Sequence, residues 1–148
     1  MAISFILSIL LSFNLNSYHG DDPVSWDFSI IPLENNEFEF VAKATMKTNW
    51  VVYSQKNSGD GPVPTTVDFN ENSDITFIET EVLETGELIS VFDELFETQV
   101  NKYKHEVVFS RKFKSSVGSG NLSGYIEYMT CDGLRCLPPK PVDFDLKY

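Results

Sequence analysis

The stretch "GYIEYMTCDGLRCLPPKPVDFDL", residues 124–146, holds both cysteines of the 148-residue chain, Cys131 and Cys136. "GYIEYMT" before them and "VDFDLKY" after them are rich in Tyr, Ile, Val and Phe, the composition of strands. Between the cysteines lies "DGLR", whose Asp132-Gly133 is a strong turn signal. The stretch therefore reads as two adjacent strands with the thiols facing each other across a turn. Their Cα atoms would then fall within the roughly 4.4–6.8 Å that a disulfide spans. Pro138 and Pro139 have no N–H to donate to a paired ladder. They place Cys136 near a sheet edge or, on the blander reading, simply break the strand.

Outward from this hairpin the pattern stays strand-like. Phe38, Phe40, Ala42, Ala44 and Met46 take alternate positions in "EFEFVAKATMK", which gives one apolar face. "WVVYS", "TTVDF", "DITFIETEVL" and "YKHEVVFSRKF" read similarly. "NSGDGPVP", "NENSD", "ETGE" and "SSVGSG" separate them as turns. About 7–9 short strands at this spacing predict an all-β, immunoglobulin-like sandwich filling residues 21–148 as one domain. "FDELFETQVNKYK", residues 92–104, fits neither period and reads as a loop or a single helical turn.

Residues 3–15 are mostly apolar, too short a run to span a bilayer but the length of a secretory h-region. Residues 1–20 thus read as a signal peptide, cleaved between Ser17 and Asp22, with a core strand as the alternative. Export would place the cysteines where disulfides persist. The roughly 125 residues that follow are enough to bury a core without a covalent staple. They contain no further membrane-like segment, so no membrane insertion is expected after signal removal. Acidic residues outnumber basic ones 22 to 11, which disfavours nucleic acid and anionic membranes as partners.

The cysteine pair makes a poor staple. Closing a ring of about six residues contributes roughly 2 kcal/mol at most, and a bridge between distant strands nearly twice that. Short rings also tend to be more reducible. Zinc wants about four ligands, commonly with C-x2-C spacing; this chain has C-x4-C and two histidines, His19 and His105. His19 falls in the leader, and His105 reads as a half-exposed strand residue. The neighbours of the cysteines favour unequal roles. Arg135 beside Cys136 would stabilise a thiolate, and Asp132 beside Cys131 would oppose one. Cys136 is thus the candidate nucleophile and Cys131 the resolving thiol.

At this point the sequence resembles a known family, the amino-terminal domain of the transmembrane thiol:disulfide interchange protein DsbD. The likeness runs over most of Val24 to Tyr148. "GYIEYMTCDGLRCLPP" carries it most specifically, with "NWVVYSQ", "GPVPTTVDF" and "FDELFE" following the same order. The resemblance implies an immunoglobulin-like sandwich with a redox pair at one end, matched here by Cys131 and Cys136. It also implies a protein-disulfide reductase component that takes electrons from a membrane partner and passes them to oxidised proteins outside the cytoplasm. In that family the second cysteine forms the mixed disulfide, and a cap loop bearing an aromatic residue covers the pair. The corresponding segment here is Phe92 to Glu97, with Asp93 and Glu94 in it, Phe96 as the shield and Leu95 as the alternative. Tyr53 resembles a tyrosine packed near the pair, or is an ordinary core aromatic.

Two departures stand beside the likeness. Full-length members continue into membrane helices and a thioredoxin-like domain, whereas this sequence ends at Tyr148. The expected electron donor is accordingly a separate membrane or thioredoxin-like protein. Members can also differ in the number of residues between the cysteines. The expected reaction needs no cofactor or metal beyond the Cys131–Cys136 disulfide itself. Against it stands a different reading: a non-catalytic immunoglobulin-like binding module whose local disulfide is permanent. "NLS" at Asn121 matches a glycosylation acceptor, and more simply a turn-to-strand junction.

Overall fold

The computed structural model describes residues 22–57 and 59–148. The expected signal peptide, residues 1–20, lies outside them. Nine strands and no helix make up the described residues: β1 (Val24–Pro32), β2 (Glu37–Met46), β3 (Val51–Tyr53), β4 (Thr66–Phe69), β5 (Ile75–Phe77), β6 (Leu83–Asp93), β7 (Thr98–Ser115), β8 (Asn121–Cys131) and β9 (Cys136–Lys147). All pairing is antiparallel, along the path β1-β2-β7-β3-β8-β4, with β5 and β6 added to β7 and β9 to β8. The sheet curls until β1 and β2 face β4, β8 and β9, which gives the expected β-sandwich.

The alternation read in β2 fills the space between these layers. Phe38, Phe40, Ala42, Ala44 and Met46 are all buried. Phe40 meets Phe144 of β9 at 4.7 Å between ring centroids and Phe69 of β4 at 5.1 Å, and Trp26 of β1 meets Tyr128 of β8 at 5.2 Å. Offset and edge contacts of this kind add to what area burial alone contributes.

β7 serves both layers. Its first half pairs with β3 through Lys102 and Lys104, its second half with β2 from Glu106 onward. His105 sits at that junction, exposed, with φ of 66°. Opposite it β6 shifts register between Gly86 and Leu88. A local bulge with a left-handed residue bends a strand sharply, so one continuous β7 can pass from one layer to the other. "ETGE" is accordingly part of β6 and not a turn. A Cβ on Gly86 would lie 3.0 Å from Cδ1 of Tyr103; the glycine marks a close approach within a strand.

Residues 92–104 are also corrected. They form the end of β6, a four-residue turn at Glu94–Glu97 and the start of β7. Nor do the prolines break β9. The β8–β9 register shifts between Tyr128 and Thr130, so Pro138 and Pro139 occupy the irregularity of a strand that pairs only with β8. The edge reading holds and the strand break does not.

Candidate active site

β3 is three residues long and buried throughout, Val51, Val52 and Tyr53 alike. Successive side chains of a strand point to opposite faces, so both faces of β3 are covered. Val52 belongs to the main core. Val51 and Tyr53 belong to a second, smaller cluster with Val100 and Cys131, against which Phe96, Met129 and Cys136 pack. The same division runs through β7, where Tyr103 joins the core and Val100 the small cluster, and through β8, where Tyr128 and Met129 part in the same way. The small cluster therefore lies on the outer face of the β3–β7–β8 sheet, with the main core beneath it.

The cysteines are joined within this outer cluster, their Cα atoms 4.1 Å apart. This is slightly closer than the expected span, for a reason the ladder supplies. Asp132 N–H donates to Arg135 C=O at 3.1 Å, and Cys131 pairs with Cys136 one step further from the turn. In an antiparallel ladder the pair next to a hydrogen-bonded pair is the non-hydrogen-bonded kind, with the shorter Cα separation and the closer side chains. The turn is held by Gly133 at φ of 90° and by Asp132, whose Oδ1 accepts from the N–H groups of Leu134 and Arg135. Those two N–H groups hold the Asp132 carboxyl below the usual carboxylate range. The Arg135 guanidinium lies 5.6 Å from the Trp50 ring centroid and 3.5 Å from Asp132 Oδ2.

The two cysteines are not equivalent. Cys131 is 2 % exposed, whereas Cys136 is half-buried on the edge strand. Of the two cap candidates, Phe96 packs against the cluster that contains the disulfide and meets the Tyr53 ring edge-on at 5.9 Å. Leu95 is 61 % exposed. Tyr53 is 1 % exposed and forms the floor under Phe96. Burial, together with the negative charge of Asp93, pushes its phenol up to about 12, so it stays neutral near pH 7. Thr65 donates to the Tyr53 carbonyl at 2.6 Å, which ties the "GPVPTT" loop to the floor of the site.

Asp93 ends β6 and organises the turn. Its Oδ1 accepts from Leu95 N–H at 3.0 Å, and its Oδ2 accepts from Lys102 Nζ at 3.0 Å. Burial opposes the charged form of Asp93, but the hydrogen bonds from Lys102 and from the turn N–H groups outweigh it and hold the carboxyl below its ordinary range. Glu94 is exposed. A cleft of about 570 Å³ opens beside the pair, bounded by Lys47 to Val51, by Phe92 to Leu95, by Lys102, Lys104 and His105, and by Cys131 to Gly133. Among the described residues no group of His, Cys, Asp and Glu is arranged to hold a metal.

Sequence reasoning missed Lys102, Val100, Met129 and Trp50 as neighbours of the site. Strand alternation held a signal for Val100 and Lys102, two residues apart on one face. Their alternation alone did not show that this face would be covered; only the resemblance implied a cap there.

This geometry has solved counterparts. The N-terminal periplasmic domain of ScsB from Proteus mirabilis superposes with a TM-score of 0.58 at 19 % identity, over 86 % of this chain and 46 % of that one. The reduced N-terminal domain of DsbD from Neisseria meningitidis superposes with a TM-score of 0.54 at 14 % identity, over 82 % of this chain and 87 % of that one. The chain has the DsbD N-terminal-domain fold. It is the fold that the resemblance in sequence implied, here carrying a cysteine pair joined in a disulfide. The chain spans less than half the length of the ScsB domain that it matches. No protein-family model and no curated protein sequence matches it. Among the described residues no helix is long and apolar enough to cross a membrane.

Proposed function

We propose that the protein is an extracytoplasmic thiol–disulfide exchange domain that passes reducing equivalents to oxidised client proteins through Cys131 and Cys136. One observation carries the reading: the two cysteines belong to a small cluster on the outer face of the sheet, one buried and one half-buried, and an aromatic residue held on a four-residue turn packs against that cluster. A clasp that only stabilised would gain nothing from such a cover. Exchange needs a thiolate to approach a sulfur directly, so a bulky cover admits only a partner able to displace it. The ScsB domain is a periplasmic one, which supports the compartment.

In the reduced protein the Cys136 thiolate attacks one sulfur of a client disulfide. The client S–S bond breaks, a Cys136–client bond forms, and the other client sulfur leaves as a thiolate. The Cys131 thiolate then attacks Cys136 Sγ, re-forming the internal disulfide and expelling the second client thiolate. Two electrons pass from the pair to the client, and the client thiolates take up the protons that the two cysteines gave up. A membrane or thioredoxin-like dithiol protein reloads the pair. The side-chain chemistry suffices without a metal or organic cofactor. Cys136 is the nucleophile on grounds of access, since an outside sulfur reaches the half-buried cysteine before the buried one.

Replacing Cys131 with Ser should trap mixed disulfides with extracytoplasmic thiol proteins on a non-reducing gel. Replacing Cys136 as well should abolish them. Absence of any adduct with the single variant would leave the pair a permanent clasp.

A further inference from the structure

Lys102 is an unusual lysine for this chain. It lies in β7, opposite Tyr53 of β3 on one side and Ile89 of β6 on the other. Its side chain is only 18 % exposed, on the same outer face as Val100. Lysine is rarely buried unless paired, and the pairing here is with Asp93, itself 14 % exposed. Asp93 in turn accepts from the Leu95 N–H inside the turn that carries Phe96. At the far end of that turn Glu97 has φ of 53°, a conformation costly for a non-glycine residue. The turn is thus strained at one end and tied to the sheet at the other. Among the described residues Lys102 is the side chain that connects the tie to β7.

We infer that Lys102 is a positioning residue: through Asp93 it holds the turn that seats Phe96 against the cluster containing the Cys131–Cys136 disulfide and so governs how fast the sulfurs exchange. The inference deepens the exchange reading and rests on it for its biological purpose. Its test does not, because access to a disulfide can be measured with any small dithiol. When the Lys102–Asp93 pair parts, the turn keeps its covalent ends but loses its anchor, Phe96 lifts from Tyr53, and the half-buried Cys136 is uncovered. A partner that offers a competing carboxylate to Lys102, or a cation to Asp93, would open the cap on docking.

The experiment measures the rate at which dithiothreitol reduces the disulfide in the full chain, with Phe96→Ala as the uncovered reference. Lys102→Met and Asp93→Asn should each raise the rate about tenfold, the shift expected for losing one charge-assisted hydrogen bond. The double variant should be no faster than the quicker single one, and Lys102→Arg should restore most of the protection. For Lys102→Met the sign excludes a purely electrostatic role. Removing a cation near the sulfurs would slow an attacking thiolate, whereas removing a latch speeds it. A Lys102→Met rate equal to or below that of the unaltered protein, with Phe96→Ala faster, would overturn the inference, as would a Phe96→Ala rate that is itself unchanged. Near-ultraviolet circular dichroism checks that each variant is folded, and Lys102→Leu gives the same test should Lys102→Met not fold. Failure of client trapping would instead leave these rates untouched and strike only the exchange reading.

Discussion

The inner and outer faces of the β3–β7–β8 sheet are built from the same strands to different ends. Inside, aromatic rings from seven strands interlock: Trp26, Phe28, Phe40, Phe69, Phe77, Phe109, Phe113, Tyr128 and Phe144. Outside, four buried residues, Val51, Tyr53, Val100 and Cys131, lie under one half-buried ring on a short turn. Stability grows with the apolar area removed from water, so the inner face dominates folding. The smaller outer cluster contributes less to folding, and functional loops and lids are commonly drawn from such less stable parts of a structure. The contrast teaches that site and stability are separated by one residue of strand register.

The sharpest way to break this comparison is at the core. Phe40→Ala should cost about 3–5 kcal/mol, read from a denaturant midpoint, and should unfold site and core together. If exchange activity survived in a protein so weakened, the outer cluster would have a stability of its own. Next comes Gly124, where a Cβ would stand 2.0 Å from the Asp68 carbonyl oxygen and 2.8 Å from the Phe144 ring. Gly124→Ala should destabilise by about 3 kcal/mol or more by prising β4 from β8, again in equilibrium unfolding. Breaking the disulfide should matter less. The Cys131→Ser, Cys136→Ser double variant should lose roughly 2 kcal/mol at most, since the ring it opens is short. A loss near 5 kcal/mol would make the bridge a structural clasp.

The smallest effect should come from acid. Asp93 has a depressed folded carboxyl, so its contribution is complete above the unfolded value of about 3.9 and is lost as pH falls through the lower folded value. Below about pH 4 the unaltered protein should therefore lose stability more steeply than Asp93→Asn, by a margin set by this one group. Parallel acid-unfolding curves for the two would show that the Lys102 pairing adds nothing.

The alternating face of β2 was legible because each of its apolar residues has only one place to go, the core between the layers. The cysteine hairpin was legible because turn chemistry is local: Asp132 and Gly133 set the turn whatever surrounds it. Residues 92–104 were not, and the cause is the covered outer face. Phe96 and Val100 pack outward, Tyr103 inward, and Phe92 and Leu95 stay exposed, so apolar residues fall on both faces and the period of two is blurred. "ETGE" misled for a related reason: a glycine in a bulge carries the same letters as a glycine in a turn.

The sequence by itself determined an acidic all-β chain and a hairpin that brings its only two thiols together. Only the tertiary structure decided which cysteine is buried, that Phe96 packs against the cysteines' cluster while Leu95 stays exposed, and that Lys102 pairs with Asp93 at the head of the Phe96 turn. Local alternation and turn chemistry act between neighbours in the chain. Burial and ion pairing at this site depend on side chains from residues 51 to 136, which meet only once the sheet has curled and both faces of β3 are covered.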